Sequence, residues 1–159
     1  MKKNQKEYST YIQILREELI PAMGCTEPIA IAYAASKAKK VLGEIPKEVE
    51  VKVSNNIIKN VKSVIVPNTD GYKGIEAAAA IGIVAGDAEK ELEVISQVTE
   101  KQKSEFKKFL EETPITITSL GSDVVFDIIV ILKTGDHYSK VRISDHHTNI
   151  VLIEKDNKV

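Results

Sequence analysis

The sequence predicts an α+β fold, with Ala-rich helices packed on a mainly antiparallel sheet and a C-terminal run of hairpin-linked strands. Three observations carry this prediction. Alanine-dense stretches occupy residues 28–42 and 74–85; Val49, Val51 and Val53 alternate with Glu50 and Lys52; and the last quarter changes its period from helical to strand-like. Helices first and hairpin strands last favour α+β over a doubly wound parallel sheet. The 159 residues are the size of one ordinary domain, so residues 1–159 read as a single α+β domain.

Taken in order, Tyr8, Tyr11, Ile12, Leu15 and Leu19 recur at helical spacing among charged residues, which predicts an amphipathic helix over residues 5–20, stopped by Pro21. After Gly24, Thr26 reads as an N-cap, with Glu27 and Pro28 as favoured first-turn residues of a helix running to about Leu42 and closed by Gly43. Residues 49–53 form the alternating strand, ending in Ser54-Asn55-Asn56. Residues 57–62 suggest one helical turn, and Val64-Ile65-Val66 is a short apolar run closed by Pro67. Turn residues dominate 68–74.

A second Ala-rich helix spans 74–85, in which Gly82 costs stability unless something packs against it. Asp87 is placed to cap a helix through about Ser96. Val98, Gln102, Phe106, Phe109 and Leu110 mark a more exposed helix ending before Pro114. Ile115 and Ile117, then residues 124–132, 138–143 and 150–153, read as four strands, with Thr134-Gly135-Asp136 as a hairpin turn.

Composition excludes several functions. Net charge is -1 with interspersed lysines and acids, there is no Trp and aromatics are 5%, so neither a basic nucleic-acid face nor a base-stacking platform is present. Apolar runs stay short of the roughly 18 to 20 residues of a membrane span, and the basic start is followed by polar residues, which predicts a cytoplasmic protein with no membrane partner. One cysteine makes no internal disulfide and cannot by itself hold a thiolate metal cluster, which takes about three or four.

Cys25 is the sharpest candidate for chemistry. Most free cysteines are small buried hydrophobes, but a thiol at the mouth of a helix meets unpaired N–H groups and the positive end of a dipole, which stabilise a thiolate. The functional alternatives are base, nucleophile or metal ligand. Ser54, Asn56, Lys59 and Asn60 put hydroxyl, amide and ammonium groups after a strand, where they suit either a carboxylate or a solvated turn and helix cap. Asp145-His146-His147-Thr148-Asn149 lies between two strands. Adjacent residues on extended backbone point to opposite sides, so at most one histidine faces a site, and a polar hairpin loop is the plain alternative. The 71–86 stretch lacks the Gly-Lys-Ser/Thr ending of a P-loop.

Gly24-Cys25-Thr26-Glu27-Pro28, Ser54-Asn55-Asn56-Ile57-Ile58-Lys59-Asn60, Val66-Pro67, Gly82, Gly86-Asp87 and His147-Thr148-Asn149-Ile150-Val151 together resemble the N-terminal part of the L-cysteine desulfidase family, also described as L-serine dehydratase-like. The resemblance implies the N-terminal domain of a lyase acting on L-cysteine or L-serine, incomplete and inactive alone. It implies a [4Fe-4S] cluster in the complete enzyme and none in this chain by itself. Cys25 would be the base or a cluster ligand, and Ser54, Asn56, Lys59, Asn60, His147, Thr148 and Asn149 would bind the substrate or shape its pocket. The implied partners are a C-terminal half or a separate cysteine-bearing helical subunit, a small amino-acid substrate, and a second copy in a homo-oligomer. One departure is Pro67-Asn68-Thr69-Asp70, where the family has Pro-Gly-Thr-Gly. The rival reading is a non-catalytic amino-acid-binding or regulatory module, or an assembly domain whose Ala-rich helices form an interface.

Overall fold

The computed structural model describes residues 26–121 and 126–158. The expected helix over residues 5–20 and Cys25 itself lie outside them, as do Val124 and Val125 at the front of one predicted strand. The elements are α1 (Thr26–Leu42), β1 (Glu48–Val53), α2 (Asn55–Val61), α3 (Gly74–Ala85), a 3₁₀ segment (Ala88–Glu93), α4 (Glu100–Glu112), β2 (Ile115–Ser119), β3 (Asp127–Thr134), β4 (His137–Ser144) and β5 (Ile150–Lys155).

Five strands form one sheet in the order β2-β1-β3-β4-β5. β1 pairs with β2 in parallel and with β3 antiparallel, while β3, β4 and β5 form successive antiparallel hairpins. The fold is therefore α+β with a mainly antiparallel sheet. Strand alternation gives the sheet one apolar face: Val51, Val130 and Val141 lie in register across three strands, and all three are buried. Helix α1 covers this face over β3 and β4 and packs on its other side against α3, which in turn carries α4. Two bonds tie the end of α1 to the sheet, from Ser139 Oγ to the Ala38 carbonyl at 2.7 Å and from Lys155 Nζ to the Leu42 carbonyl at 3.5 Å.

The contact between α1 and α3 explains their composition. A Cβ on Gly82 would lie 2.2 Å from the Ala32 carbonyl oxygen, and one on Gly86 would lie 2.8 Å from Ser36 Cβ. Residues four apart share a helix face, so Ala32 and Ser36 on α1 meet Gly82 and Gly86 at the end of α3, and the two backbones approach as only small side chains permit. The cost of Gly82 is thus offset by close packing. Ala30, Ala32, Ala34 and Ala35 of α1, with Ala78, Ala79 and Ala80 of α3, are all fully buried; these methyl faces are spent inside the chain.

Several local expectations are corrected. Thr26 is the first residue of α1 rather than its cap. The helix expected after Asp87 is a 3₁₀ segment interrupted by Glu91 at φ 49°. Asp87 does accept a bond from the Glu89 N–H at 3.1 Å. The apolar run at 64–66 contributes only a single bridge, Ile65 to Lys73. In the loop that departs from the Pro-Gly-Thr-Gly pattern, Asn68 and Asp70 both adopt φ 60°, the left-handed conformation that Asn and Asp tolerate best after glycine. Thr69 is fully buried there and donates to the Val66 carbonyl at 2.7 Å. Among the described residues, no helix is long and apolar enough to cross a membrane.

Candidate functional site

One end of the sheet gathers most of the polar candidates. β1 finishes at Val53, β3 begins at Asp127, β4 finishes at Ser144 and β5 begins at Ile150, so four strand ends lie side by side. The Ser54 N–H donates to the Asp127 carbonyl at 3.0 Å, and the Asp145 N–H to the Phe126 carbonyl at 3.0 Å. The start of α1 joins them, because Thr26 Oγ1 and His147 Nε2 share a hydrogen bond of 2.9 Å across 121 positions of sequence. The Phe126 ring lies against the imidazole, centroids 4.6 Å apart. His146, by contrast, is exposed, while His147 is half-buried. Only one of the two histidines therefore faces this corner.

Each predicted site residue other than Cys25, which lies outside the described residues, can now be placed. Ser54 is buried and precedes α2. His147 and Thr148 are half-buried in the β4–β5 loop. Asn149 has a loop-closing role: its Nδ2 donates to the Ser144 carbonyl at 2.9 Å and its N–H to the His146 carbonyl at 3.1 Å. Asn56, Lys59 and Asn60 occupy the exposed face of α2, near in sequence to Ser54 but turned to solvent. The structure thus brings Ser54 and His147 to one end of the sheet and leaves the α2 side chains outside.

Sequence reasoning missed three participants. Phe126 carries no spacing signal. Asp127 and Arg142 form a forked ion pair: Arg142 Nε donates to Asp127 Oδ1 at 2.9 Å and its second nitrogen to Oδ2, with the carboxylate fully buried. Asp127 hydrogen-bonds the guanidinium and so holds it protonated beyond its ordinary range. Bidentate geometry makes this a strong contact. The pair anchors the start of β3 at the very residue whose carbonyl receives Ser54.

The chemistry of the corner follows from its parts. The corner lies at the N-terminal end of α1 as described, where the helix dipole favours an anion. An imidazole bonded to a threonine hydroxyl is held in one orientation and adds a polar ring at the same place.

Comparison with known proteins bears on the family. The chain is 54% identical over 159 residues to a UPF0597 protein of Desulfitobacterium hafniense, covering 100% of this chain and 37% of that protein. It is 50% identical over 152 residues to a UPF0597 protein of Lachnoclostridium phytofermentans, covering 96% and 36%. A UPF0597 protein of Treponema denticola is 43% identical over 159 residues, covering 100% and 37%. The chain therefore spans little more than a third of the length of these curated relatives. No protein-family model matches the chain, and no solved structure matches it.

These findings overturn the resemblance to the L-cysteine desulfidase and L-serine dehydratase-like family. Relatives that align along the whole chain carry a different name, UPF0597, and the reading as a fragment of an iron-sulfur lyase falls with it. Among the described residues, which leave out Cys25, no group of three or more His, Cys, Asp or Glu is placed to hold a metal ion. There is a physical reason why the short motifs misled. Asn149 serves to close a loop and Gly82 to admit Ala32, so motif residues that looked functional answer demands of packing and turn geometry.

Proposed function

We propose that the sheet end at Thr26 and His147 binds a small carboxylate ligand, as one part of a longer polypeptide. The observation that carries this reading is the Thr26–His147 hydrogen bond, which holds an imidazole over the positive end of a 17-residue helix. Ser54 and Thr148 border the same strand ends and supply hydroxyls. Cys25 directly precedes Thr26 in the chain. A cytoplasmic location is part of the proposal. So is a partner in the form of the remaining polypeptide that longer relatives contain, supported by the 37% coverage.

The test is an NMR titration of the 159-residue chain with acetate, following the His147 ring and the Thr26 and Glu27 amides. Saturable shifts at these three residues, weakened at least about fivefold in His147→Gln, are the expected result; a factor of that size corresponds to one lost hydrogen bond. Shifts absent from the helix start, or binding unchanged in His147→Gln, would overturn the proposal.

A further inference from the structure

A cavity of about 410 Å³ opens at the C-terminal end of α1, where it meets the residues after α3. Its lining includes Ser36, Lys39, Lys40, Gly86, Asp87 and Glu89. Two of these are already paired, since Lys40 Nζ lies 2.8 Å from Glu89 Oε1 on the exposed rim.

Ser36 is the observation that needs explaining. The residue is 4% exposed, and among the described residues its hydroxyl has no hydrogen-bond partner. The small size of the side chain is accounted for by Gly86, whose added Cβ would sit 2.8 Å from Ser36 Cβ. The hydroxyl is not accounted for, because alanine would pack there equally well. A buried hydroxyl without a partner is a net cost to folding, and a serine within a helix ordinarily returns its hydroxyl to the preceding turn. Here it lines a cavity instead.

The charges around that hydroxyl select a class of ligand. Lys39 lies half-buried three positions further along the same helix and has no anionic partner among the described residues. Asp87 uses Oδ1 to receive the Glu89 N–H, which leaves its second oxygen for another donor. A simple anion would meet Lys39 favourably but would be repelled by Asp87 and Glu89; a simple cation would meet the reverse. A compact molecule carrying both charges satisfies each side.

We propose that this cavity is a binding site for a small zwitterion of the α-amino-acid class, its carboxylate received by Ser36 Oγ and Lys39 and its ammonium by Asp87. The site is separate from the sheet end and does not depend on the reading given to His147. Its position on the seam between α1 and α3 means that occupancy is felt by both helices.

The experiment is an amide-shift titration of the 159-residue chain with L-alanine, alongside acetate, methylammonium and inorganic phosphate as single-charge probes. Saturable shifts at Gly86, Asp87 and Ala88 with L-alanine, and none with the three single-charge probes, are expected. Ser36→Ala and Lys39→Gln should each weaken L-alanine binding about tenfold, the usual consequence of losing a hydrogen bond to a charged group, whereas His147→Gln should leave it unchanged. Ser36→Ala should also melt at the same temperature or higher, because it removes an unpartnered hydroxyl; that readout shows the variant to be folded. Absence of saturable L-alanine shifts at Gly86, Asp87 and Ala88, equal shifts of these same amides by acetate or phosphate, or undiminished L-alanine shifts there in folded Ser36→Ala would each overturn the proposal.

Discussion

Two regions of this molecule are built on opposite principles. The seam between α1 and α3 is held by shape: alanines and glycines bring backbones together so closely that one methyl at Gly82 would meet the Ala32 carbonyl oxygen at 2.2 Å. The polar end of the sheet is held by directed bonds, Thr26 to His147, Asn149 to Ser144 and Arg142 to Asp127. A shape-determined contact has no slack, whereas a half-exposed polar one can exchange a protein partner for water or a ligand. The seam should therefore carry stability and the sheet end should carry recognition.

The largest test of that contrast is Gly82→Ala. In an ordinary exposed helix this change stabilises by about 0.5 to 1 kcal/mol; here it overpacks against backbone and should cost about 3 kcal/mol or more in urea denaturation. A neutral or stabilising result would mean that the seam is loose. Next comes Arg142→Ala, which leaves the buried Asp127 carboxylate unpaired. Breaking a buried pair costs about 3 to 5 kcal/mol, and because the Arg142 side chain is 39% exposed, about 2 to 3 kcal/mol is expected, measured in the same way. This would identify the one polar contact at the sheet end that behaves like the seam.

Thr99→Ala provides a reference outside both regions. Thr99 caps α4 in a reciprocal box with Gln102, accepting from the Gln102 N–H at 3.1 Å, and its loss should cost about 1 kcal/mol in thermal melts. Acid titration probes surface pairs. Asp156 has its pKa lowered chiefly by the Tyr138 N–H and then by His137, and Asp70 by Lys107 and Lys103. A carboxyl lowered by folding contributes stability that is present above its unfolded value of about 3.9 and lost as pH falls through the folded one. Asp156→Asn should accordingly flatten the decline in melting temperature below about pH 4 and leave it at neutral pH with only the loss of the contact.

Much of the fold was legible because period alone decides it. Alternation at Val49, Val51 and Val53 marks β1, and alanine density bounded by Gly74 and Gly86 marks α3 at its observed limits. Order within the sheet was not legible, since nothing local tells β1 to insert between β2 and β3. The 3₁₀ segment was missed because Glu91 takes a left-handed φ that its side chain does not announce. At the site, the opposite orientation of His146 and His147 could be read, but not which of the two faces the corner. The partnership of Thr26 with His147, and of Asp127 with Arg142, joins residues too far apart in sequence for any spacing rule. Motif likeness added a family assignment that the relatives overturned, which shows how readily structural glycines and loop asparagines imitate a catalytic signature.

On the function proposed for the sheet end, the Thr26–His147 contact serves recognition more than stability. Its most direct measurement is a double-mutant cycle of Thr26→Val and His147→Gln, read both by urea denaturation and by acetate binding. The expected stability coupling is no more than about 0.5 kcal/mol, small for a part-buried hydrogen bond, with acetate binding weakened in each single variant. A stability coupling above about 1.5 kcal/mol with acetate binding unchanged would contradict it.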